Sequence, residues 1–478
     1  MQNQPKLTIS GYRGIWGESL TKEIVQKYTR AFIKFVQDDI NKNPTILIGR
    51  DGRESGPQIK EIIINELKRL QINFVDGDIL PTPTVLFAVK KYKYDGAIVI
   101  TASHNPIEYN GLKFVTNKAL FTNENEVEKI KENYKKEISS LVSLFSSARI
   151  FSWWKISLLG STTCARLPKT MRSQSDTSNI NLPKEHADQI LAHIDIEKIR
   201  SRKFKVAVDM INASACILDP YLFEKLGVEL IPLNNIPNGL FAHKPEPLKE
   251  NLGEIADLVK SSASDIGFAH DPDADRLVVI NEKGIVISEE YTMALGTEAV
   301  LSKNYNNKVV INMSTSQMNK DIAEKYGGIC IRTKVGEANV VNGIIENNAI
   351  IGGEGGGGII YPLINMARDS FVSLALILEL LAERNQTISE CVESLPKYEV
   401  RKDKMPIEGN LIDMYKKMKT HFNNAEVNEL DGLRLDFIDS SWIHLRPSNT
   451  EPIIRMIGEA KTRERIDELF EETKKVIA

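Results

Sequence analysis

Short runs rich in β-branched residues recur along the first three-quarters of the sequence. They lie at residues 45–49 (TILIG), 95–101 (DGAIVIT), 205–210 (KVAVDM), 265–271 (DIGFAHD), 276–281 (RLVVIN) and 308–313 (KVVINM). Segments with helical spacing separate many of them, as at residues 21–37 and 56–70. Apolar strands that alternate with helices are typical of parallel α/β units. The pattern therefore predicts α/β layers, with functional sites at the carboxyl ends of strands.

From about residue 395 the pattern changes to a shorter mixture of strand and helix, which ends in a helical segment at 462–477. We predict three successive α/β domains with mixed sheets around a central cleft, followed by a smaller C-terminal α+β domain. The expected ranges are 1–140, 184–288, 289–394 and 395–478.

The segment between the first two of these domains, residues 141–183, does not fit the pattern. Residues 141–180 contain nine serines, five basic residues and the adjacent Trp153 and Trp154. We predict an atypical Ser-rich connector that is partly disordered. The alternative is a mis-specified stretch, such as a local reading-frame error.

The composition excludes some classes of function. The net charge of −3, from 61 basic and 64 acidic residues, gives no bulk attraction for nucleic acid or an anionic membrane. The sequence has no apolar run long enough to span a bilayer and no signal-peptide pattern at its start. We expect a cytoplasmic protein whose partners include neither nucleic acid nor membrane.

The seven residues 352–358 comprise six glycines and Glu354. Because ordered glycine is costly inside a helix or strand, this run is expected to lie outside regular structure. Apolar pairs bracket it at 350–351 and 359–360, which predicts a tight turn between two buried segments. A flexible linker would normally carry Ser, Pro or charge instead.

The segment ITASHNPIEYNGLKF, residues 100–114, follows an apolar strand. Ser103 lies among loop-forming residues, which would present its hydroxyl at the strand end. A hydroxyl nucleophile needs an activator, and His104 and Lys113 are the nearby candidates. An ordinary Ser/Asn-rich turn is the alternative.

The segment HDPDADR, residues 270–276, places Asp271, Asp273 and Asp275 at alternate positions. Three carboxylates so close repel one another unless a cation neutralises them. Carboxylate oxygens suit Mg²⁺ or Ca²⁺. An EF-hand is excluded because Arg276 stands where that loop needs glycine. A structural acidic turn and a calcium-binding structural module remain alternatives.

The segment RPSNTEP, residues 446–452, offers a forked cation, hydroxyls and an amide. Its candidates for holding a phosphate dianion are Arg446, Ser448, Asn449 and Thr450. The segments SGYRGIWG, with Arg13, and GRDGRESG, residues 49–56, each place arginine among glycines. Both could bring a cation close to a ligand, and ordinary surface turns are the alternative.

The four segments TASHNP, DPDADR, GGEGGGGII and RPSNTEP occur in this order, and the chain thereby resembles the α-D-phosphohexomutase superfamily. The resemblance covers nearly the whole chain except residues 141–180. It implies that Ser103 carries a phosphoryl group and that one Mg²⁺ binds a phosphoserine oxygen and the three aspartates. It places Arg276 beside the transferring phosphate, and Arg13, His104 or Lys113 in proton transfer or charge stabilisation.

The resemblance also implies the reaction and the remaining contacts. Hexose 6-phosphate and hexose 1-phosphate would interconvert through a hexose 1,6-bisphosphate, which would also act as activator. The non-reacting phosphate would bind Arg446, Ser448, Asn449 and Thr450. Glu354, Gly356 and Gly358 would lie at the sugar.

The sugar loop bears on the choice of substrate. Many relatives carry a GE-x-SGH loop, whereas this chain has Gly356 and Gly358 at the serine and histidine positions and looks closer to a GGEGNGG branch. That branch favours phosphoglucosamine mutase, in amino-sugar nucleotide biosynthesis, with phosphomannomutase/phosphoglucomutase as the alternative. A catalytically silent phosphosugar-binding protein is the alternative of another class. Monomer and homodimer both remain open.

Overall fold

The computed structural model describes residues 7–148, 181–407, 409–447 and 453–477. Within these ranges the chain forms four β-sheets, one after another in sequence. The first three sheets mix parallel and antiparallel strands, and the fourth is antiparallel. This arrangement confirms the predicted α/β architecture with a smaller C-terminal α+β unit. The predicted boundaries at residues 184, 289 and 395 stay predictions.

The first sheet has the strand order β1-β5-β4-β2-β3. Its strands are β1 (Tyr12–Ile15), β2 (Thr45–Arg50), β3 (Asn73–Ile79), β4 (Gly96–Ile100) and β5 (Tyr109–Thr116). The accompanying helices are α1 (Lys22–Asp39), α2 (Gly56–Arg69), α3 (Thr82–Tyr92) and α4 (Glu124–Ala148). Helix α1 begins after Thr21, whose side chain accepts a hydrogen bond from the Ile24 N–H.

The second sheet has the order β7-β6-β8-β9. Its strands are β6 (Lys205–Asp209), β7 (Glu229–Leu233), β8 (Ile266–His270) and β9 (Leu277–Asn281). Its helices are α5 (Leu182–Leu191), α6 (Ile196–Arg202), α7 (Asp219–Leu226) and α8 (Gly253–Ser261). Every residue of β8 and β9 is buried, as expected for strands covered on both faces.

The third sheet has the order β11-β10-β12-β13. Its strands are β10 (Lys308–Asn312), β11 (Ile329–Thr333), β12 (Ile351–Glu354) and β13 (Gly358–Ile360). Its helices are α9 (Glu290–Leu301), α10 (Met318–Lys325), α11 (Glu337–Asn347), α12 (Ser370–Arg384) and α13 (Ile388–Glu393).

The fourth sheet has the order β14-β18-β17-β16-β15. Its strands are β14 (Glu399–Pro406), β15 (Glu426–Asn428), β16 (Leu433–Asp436), β17 (Trp442–Pro447) and β18 (Ile453–Ala460). Helices α14 (Leu411–His421) and α15 (Arg463–Ile477) pack with it around an apolar cluster that includes Met418, Leu445 and Phe470. Among the described helices of the whole chain, none combines the length and apolar character that crossing a membrane requires.

One strand arrangement recurs in the first three sheets. Strands β3-β2-β4-β5, β7-β6-β8-β9 and β11-β10-β12-β13 each consist of three parallel strands followed by an antiparallel one. In each case the last two strands form a hairpin. The three hairpin loops carry Ser103, the aspartate cluster and the glycine run, so the fold places the predicted motifs at equivalent points.

The expectation that the glycine run lies outside regular structure is wrong. Gly352 and Gly353 belong to β12, and Gly358 begins β13. The reason is close backbone packing: a Cβ on Gly353 would lie 2.3 Å from the carbonyl oxygen of Gly358. The predicted tight turn between two buried segments is confirmed, because Gly355 to Gly357 connect the two strands.

The predicted Ser-rich connector is only partly within the described residues. Residues 141–148 form the end of α4, and α5 begins at Leu182. Residues 149–180 lie outside the described part of the chain, so the expectation for this segment stays a prediction.

Candidate active site

The three hairpin loops meet at one place in the molecule. Ser103 Oγ lies 3.2 Å from Asp271 Oδ2, which joins the β4–β5 loop to the β8–β9 loop. Arg368 contacts Asp275 and also donates to Glu354 Oε2 at 3.0 Å, which joins the β8–β9 loop to the glycine run. The predicted phosphoserine, metal and sugar loops therefore form a single site.

Ser103 lies in the loop that follows β4, in an unusual backbone conformation. Its φ is +51°, in the left-handed region that costs a residue with a Cβ roughly 1–2 kcal/mol. The residue is fully buried, and its hydroxyl lies 3.3 Å from His104 Nδ1. Such strain persists only where neighbouring groups enforce it, and it is common at functional sites.

The aspartate cluster is fully buried. Carboxylate oxygens of Asp271, Asp273 and Asp275 lie within 4.8 Å of one another. Burial raises the pKa of Asp271 well above its ordinary value, and the charges of Asp275 and Asp273 raise it further. Burial also disfavours the charged form of Asp273, but the ammonium of Lys113, 2.7 Å away, lowers the pKa of that carboxyl overall.

The residues present fit a divalent cation. Oδ1 of Asp273 and Oδ1 of Asp275 are buried and have no hydrogen-bond partner among the described residues. Grouped carboxylates with free oxygens are the donor set that Mg²⁺ and Ca²⁺ prefer. Asp271, Asp273 and Asp275 could therefore hold such an ion next to the hydroxyl of Ser103.

Positive groups surround the same point. Arg13 donates to Asn105 Oδ1 at 2.9 Å, and its buried Nε has no partner among the described residues. The buried Nε of Arg276 is likewise without a hydrogen bond there. Burial lowers the pKa of His104 to about 2, assisted by the charges of Arg276, Arg13 and Arg368, so the imidazole is neutral near pH 7. The site thus offers unused cationic donors to an anion.

The carboxylate of Glu354 is hydrogen-bonded to other groups of the protein. It accepts hydrogen bonds from Arg368, from Asn312 Nδ2 at 2.8 Å and from the Gly336 N–H at 3.0 Å. Arg368 also lies 3.3 Å from Glu337. Burial disfavours the charged guanidinium of Arg368, but Asp275, Glu337 and Glu354 together raise its pKa well above the ordinary value.

The predicted sugar-loop glycines differ in the space around them. A Cβ on Gly355 would lie 2.1 Å from Glu290 Oε2, and Gly357 has a φ of +87°. Among the described residues, a Cβ on Gly356 would meet nothing nearer than Arg276, at 3.6 Å. Gly356 is therefore the position in the turn that could accept a side chain, and that side chain would face Arg276.

The predicted phosphate loop is described only in part. Arg446, on β17, lies 3.1 Å from Asp431 Oδ2, and Asp431 in turn accepts the N–H of Val335 at 2.8 Å. Val335 precedes Gly336, the donor to Glu354, so Arg446 lies near the sugar loop through these contacts. Ser448, Asn449 and Thr450 lie outside the described residues.

Sequence reasoning missed the roles of Arg53, Glu337 and Arg368. Glu337 and Arg368 belong to the segments TKVGEANVV and ARDS, to which the sequence motifs assign no role. The sequence allows Arg53 to face a ligand, whereas in the structure its side chain is fully buried and donates to carbonyl groups of the Ser103 loop. The position of Arg53 could have indicated a role at the site, because it lies just past the carboxyl end of β2, where sites in α/β sheets are found.

Family models divide the chain in the same order as the sheets. The phosphoglucomutase/phosphomannomutase models match residues 5–140 (alpha/beta/alpha domain I), 184–284 (domain II), 288–398 (domain III) and 407–476 (C-terminal domain). Together they cover most of the chain.

Whole proteins and a solved structure give the same result. A phosphoglucomutase/phosphomannomutase of Thermococcus kodakarensis is 34% identical over 464 residues, covering 96% of each chain. A phosphoglucosamine/phosphogalactosamine mutase of Sulfurisphaera tokodaii is 33% identical and covers 98% of each. The crystal structure of a phosphoglucomutase/phosphomannomutase family protein from Burkholderia thailandensis has a TM-score of 0.80 at 25% identity, covering 100% of this chain and 98% of that one. The chain belongs to the phosphoglucomutase/phosphomannomutase family.

Proposed function

We propose that this chain interconverts hexose 6-phosphate and hexose 1-phosphate through a phosphoserine at position 103. The observation that carries the proposal is the contact of 3.2 Å between Ser103 Oγ and Asp271, at a buried cluster with unpaired carboxylate oxygens. A hydroxyl beside a cation site and unused guanidinium donors suits phosphoryl transfer, which needs alignment and neutralisation of charge.

In the proposed reaction, a sugar hydroxyl oxygen bonds to the phosphorus on Ser103. The bond from phosphorus to Ser103 Oγ breaks, the serine regains a proton, and the hydroxyl gives up its own. The product is a hexose 1,6-bisphosphate. The bisphosphate then reorients in the site, and Ser103 Oγ, which gives up its proton, bonds to the phosphorus of the other phosphate group. The bond from that phosphorus to the sugar oxygen breaks, the sugar oxygen gains a proton, and the isomeric monophosphate leaves. A hexose 1,6-bisphosphate added to the unphosphorylated protein would transfer a phosphoryl group to Ser103 and so act as activator.

Different side chains of the site would bind the metal, bind the transferring phosphate and orient the serine hydroxyl. Asp271, Asp273 and Asp275 would hold Mg²⁺, which when bound neutralises phosphate charge. Arg13 and Arg276 would bind the oxygens of the transferring group. Lys113 keeps Asp273 charged through their contact of 2.7 Å, and the neutral His104 orients the hydroxyl rather than acting as a strong base.

For the substrate, we propose glucosamine 6-phosphate and glucosamine 1-phosphate. The name of the Sulfurisphaera tokodaii relative supports an amino sugar, and the name of the Thermococcus kodakarensis relative supports glucose or mannose as the alternative. Arg446 with Ser448, Asn449 and Thr450 would bind the phosphate that does not react.

The direct test is the intact mass of the purified chain after incubation with glucose 1,6-bisphosphate and Mg²⁺. We expect a fraction of chains heavier by one phosphoryl group. Ser103→Ala should abolish this gain, whereas Ser262→Ala, a serine in a different part of the fold, should retain it. An unmodified wild-type chain would favour the catalytically silent phosphosugar-binding protein.

The substrate is tested with a panel of glucosamine, galactosamine, glucose and mannose 6-phosphates, each with the bisphosphate and Mg²⁺. Formation of the 1-phosphates is followed by ³¹P NMR. Turnover of glucose or mannose phosphate without glucosamine phosphate would overturn the choice of sugar and leave the mutase proposal intact.

A further inference from the structure

A closed ring of hydrogen bonds surrounds the backbone of Ser103. The Ser103 N–H donates to Thr101 Oγ1 at 2.8 Å, and the Thr101 hydroxyl donates to Asp51 Oδ2 at 2.7 Å. Arg53 Nε donates to the same carboxylate oxygen at 3.1 Å, and its NH2 group donates to the Ser103 carbonyl at 2.6 Å. All four residues are fully buried, so water does not compete for these bonds.

Arg53 uses its whole donor capacity in this arrangement. A guanidinium carries five N–H groups, and here one goes to Asp51. The other four go to carbonyl oxygens of the Ser103 loop, those of Ser103, Asn105, Pro106 and Tyr109, at 2.6–2.9 Å. Arg53 therefore has no donor left for a ligand. Lysine, with three donors, could not make the same contacts.

The ring also fixes the loop relative to the second sheet. The guanidinium of Arg53 lies 5.0 Å from the ring centre of Phe241, in the connection between β7 and β8. Beside it, a Cβ on Gly239 would lie 1.9 Å from the Gly52 carbonyl oxygen, so the two backbones are in direct contact. Asp271 directly follows β8 of the second sheet, and the same group of residues thus constrains both partners of the contact between Ser103 and Asp271.

We propose that Arg53, Asp51 and Thr101 are positioning residues that hold Ser103 in its left-handed conformation, with Oγ directed at the aspartate cluster. The ring satisfies both backbone polar groups of Ser103, the N–H and the carbonyl. It thereby offsets the cost of the positive φ, which no helix or strand supports at this position. The inference rests on the proposed role of Ser103 as phosphoryl carrier.

The test uses the full chain and the rate of Ser103 phosphorylation by glucose 1,6-bisphosphate with Mg²⁺, measured by intact mass. Thr101→Val removes the hydroxyl at nearly constant shape and should slow phosphorylation by about 10- to 100-fold, since small misplacements of reacting groups have effects of that order. Thr101→Ser retains the hydroxyl and should restore most of the rate. Thr29→Val, which removes a buried hydroxyl from α1, should phosphorylate like the wild type.

Steady-state kinetics and thermal unfolding complete the test. We expect Thr101→Val to lower kcat while KM for the hexose phosphate stays within about twofold, because the ring does not contact substrate. Arg53→Lys should likewise lower kcat while KM stays nearly unchanged, provided that its melting temperature shows that the variant folds. Wild-type phosphorylation rates in Thr101→Val would overturn the inference alone. A wild-type chain that is never phosphorylated would overturn the proposed function instead.

Discussion

A Cβ on Gly358 would lie 2.4 Å from Cδ of Arg368, so the glycine leaves the space that the arginine side chain occupies. Through that space Arg368 reaches both Glu354 and Asp275. The absence of a side chain at Gly358 thus allows an arginine to lie between the glycine run and the aspartate cluster.

Gly358→Ser should destabilise the protein by about 1–3 kcal/mol, as expected for overpacking a filled site. Gly356→Ser is the matched control, because no described residue would crowd a side chain at that position. Its effect should stay within about 0.5 kcal/mol, as for most uncrowded substitutions. Urea denaturation of both variants checks this, and equal losses would contradict the steric difference between the two glycines.

Gly356→Asn should narrow the substrate profile while the protein remains folded. The amide would project toward Arg276 and add a side chain to a turn that would otherwise offer a bound sugar only backbone groups. The measurement is kcat/KM across the four hexose 6-phosphates. An unchanged ranking of substrates would count against a role of position 356 in selectivity.

Arg368→Gln should lower the free energy of unfolding by about 3–5 kcal/mol, because it leaves buried carboxylates without their cation. Combining it with Glu337→Gln should cost less than the sum of the two single changes, since the pair lies 3.3 Å apart. Urea denaturation of the four proteins gives the coupling. Strict additivity would show that this ion pair contributes nothing.

The free energy of unfolding should depend on pH through the buried carboxyl of Glu290. Burial raises the pKa of this carboxyl to about 7, with Glu289 and Glu459 adding to the effect and Lys402 opposing it. The folded chain therefore keeps the proton where the unfolded chain has lost it. This contribution to stability is complete below about pH 4.5 and is lost as the pH rises to about 7, amounting to up to about 3 kcal/mol.

The check is the difference in unfolding free energy between wild type and Glu290→Gln, from pH 4.5 to 7.5. The amide stays neutral, so the variant should gain stability relative to wild type as the pH rises. Parallel curves would mean that Glu290 keeps an ordinary pKa in the folded chain.

Mg²⁺ should raise the melting temperature of the chain, and EDTA should reverse the gain, because an ion that binds only the folded state stabilises it by mass action. At about 100 times the dissociation constant, the gain is about 2.7 kcal/mol. Asp275→Asn should weaken the effect, whereas Asp413→Asn, in α14, should keep it. A melting temperature that does not respond to Mg²⁺ or Mn²⁺ would contradict a cation site at the aspartates.

The class of fold and the main motifs could be predicted from the sequence alone. Apolar runs alternating with helices specify parallel α/β units locally, and the three aspartates at alternate positions indicated a candidate cation site. The order of the four motifs was enough for the resemblance to the mutase superfamily. These properties depend on neighbouring residues or on spacing along the chain, so they are visible without the fold.

Only the tertiary structure decided which distant groups meet. Arg53 and Ser103 are fifty positions apart, and their contact depends on the parallel pairing of β2 with β4. The same holds for Arg368, whose partner Asp275 lies in the β8–β9 loop while its partner Glu354 ends β12 of another sheet. The glycine run was misjudged because the close approach of Val310, Gly358 and Met293, which requires glycine within β12, arises only when the third sheet is assembled.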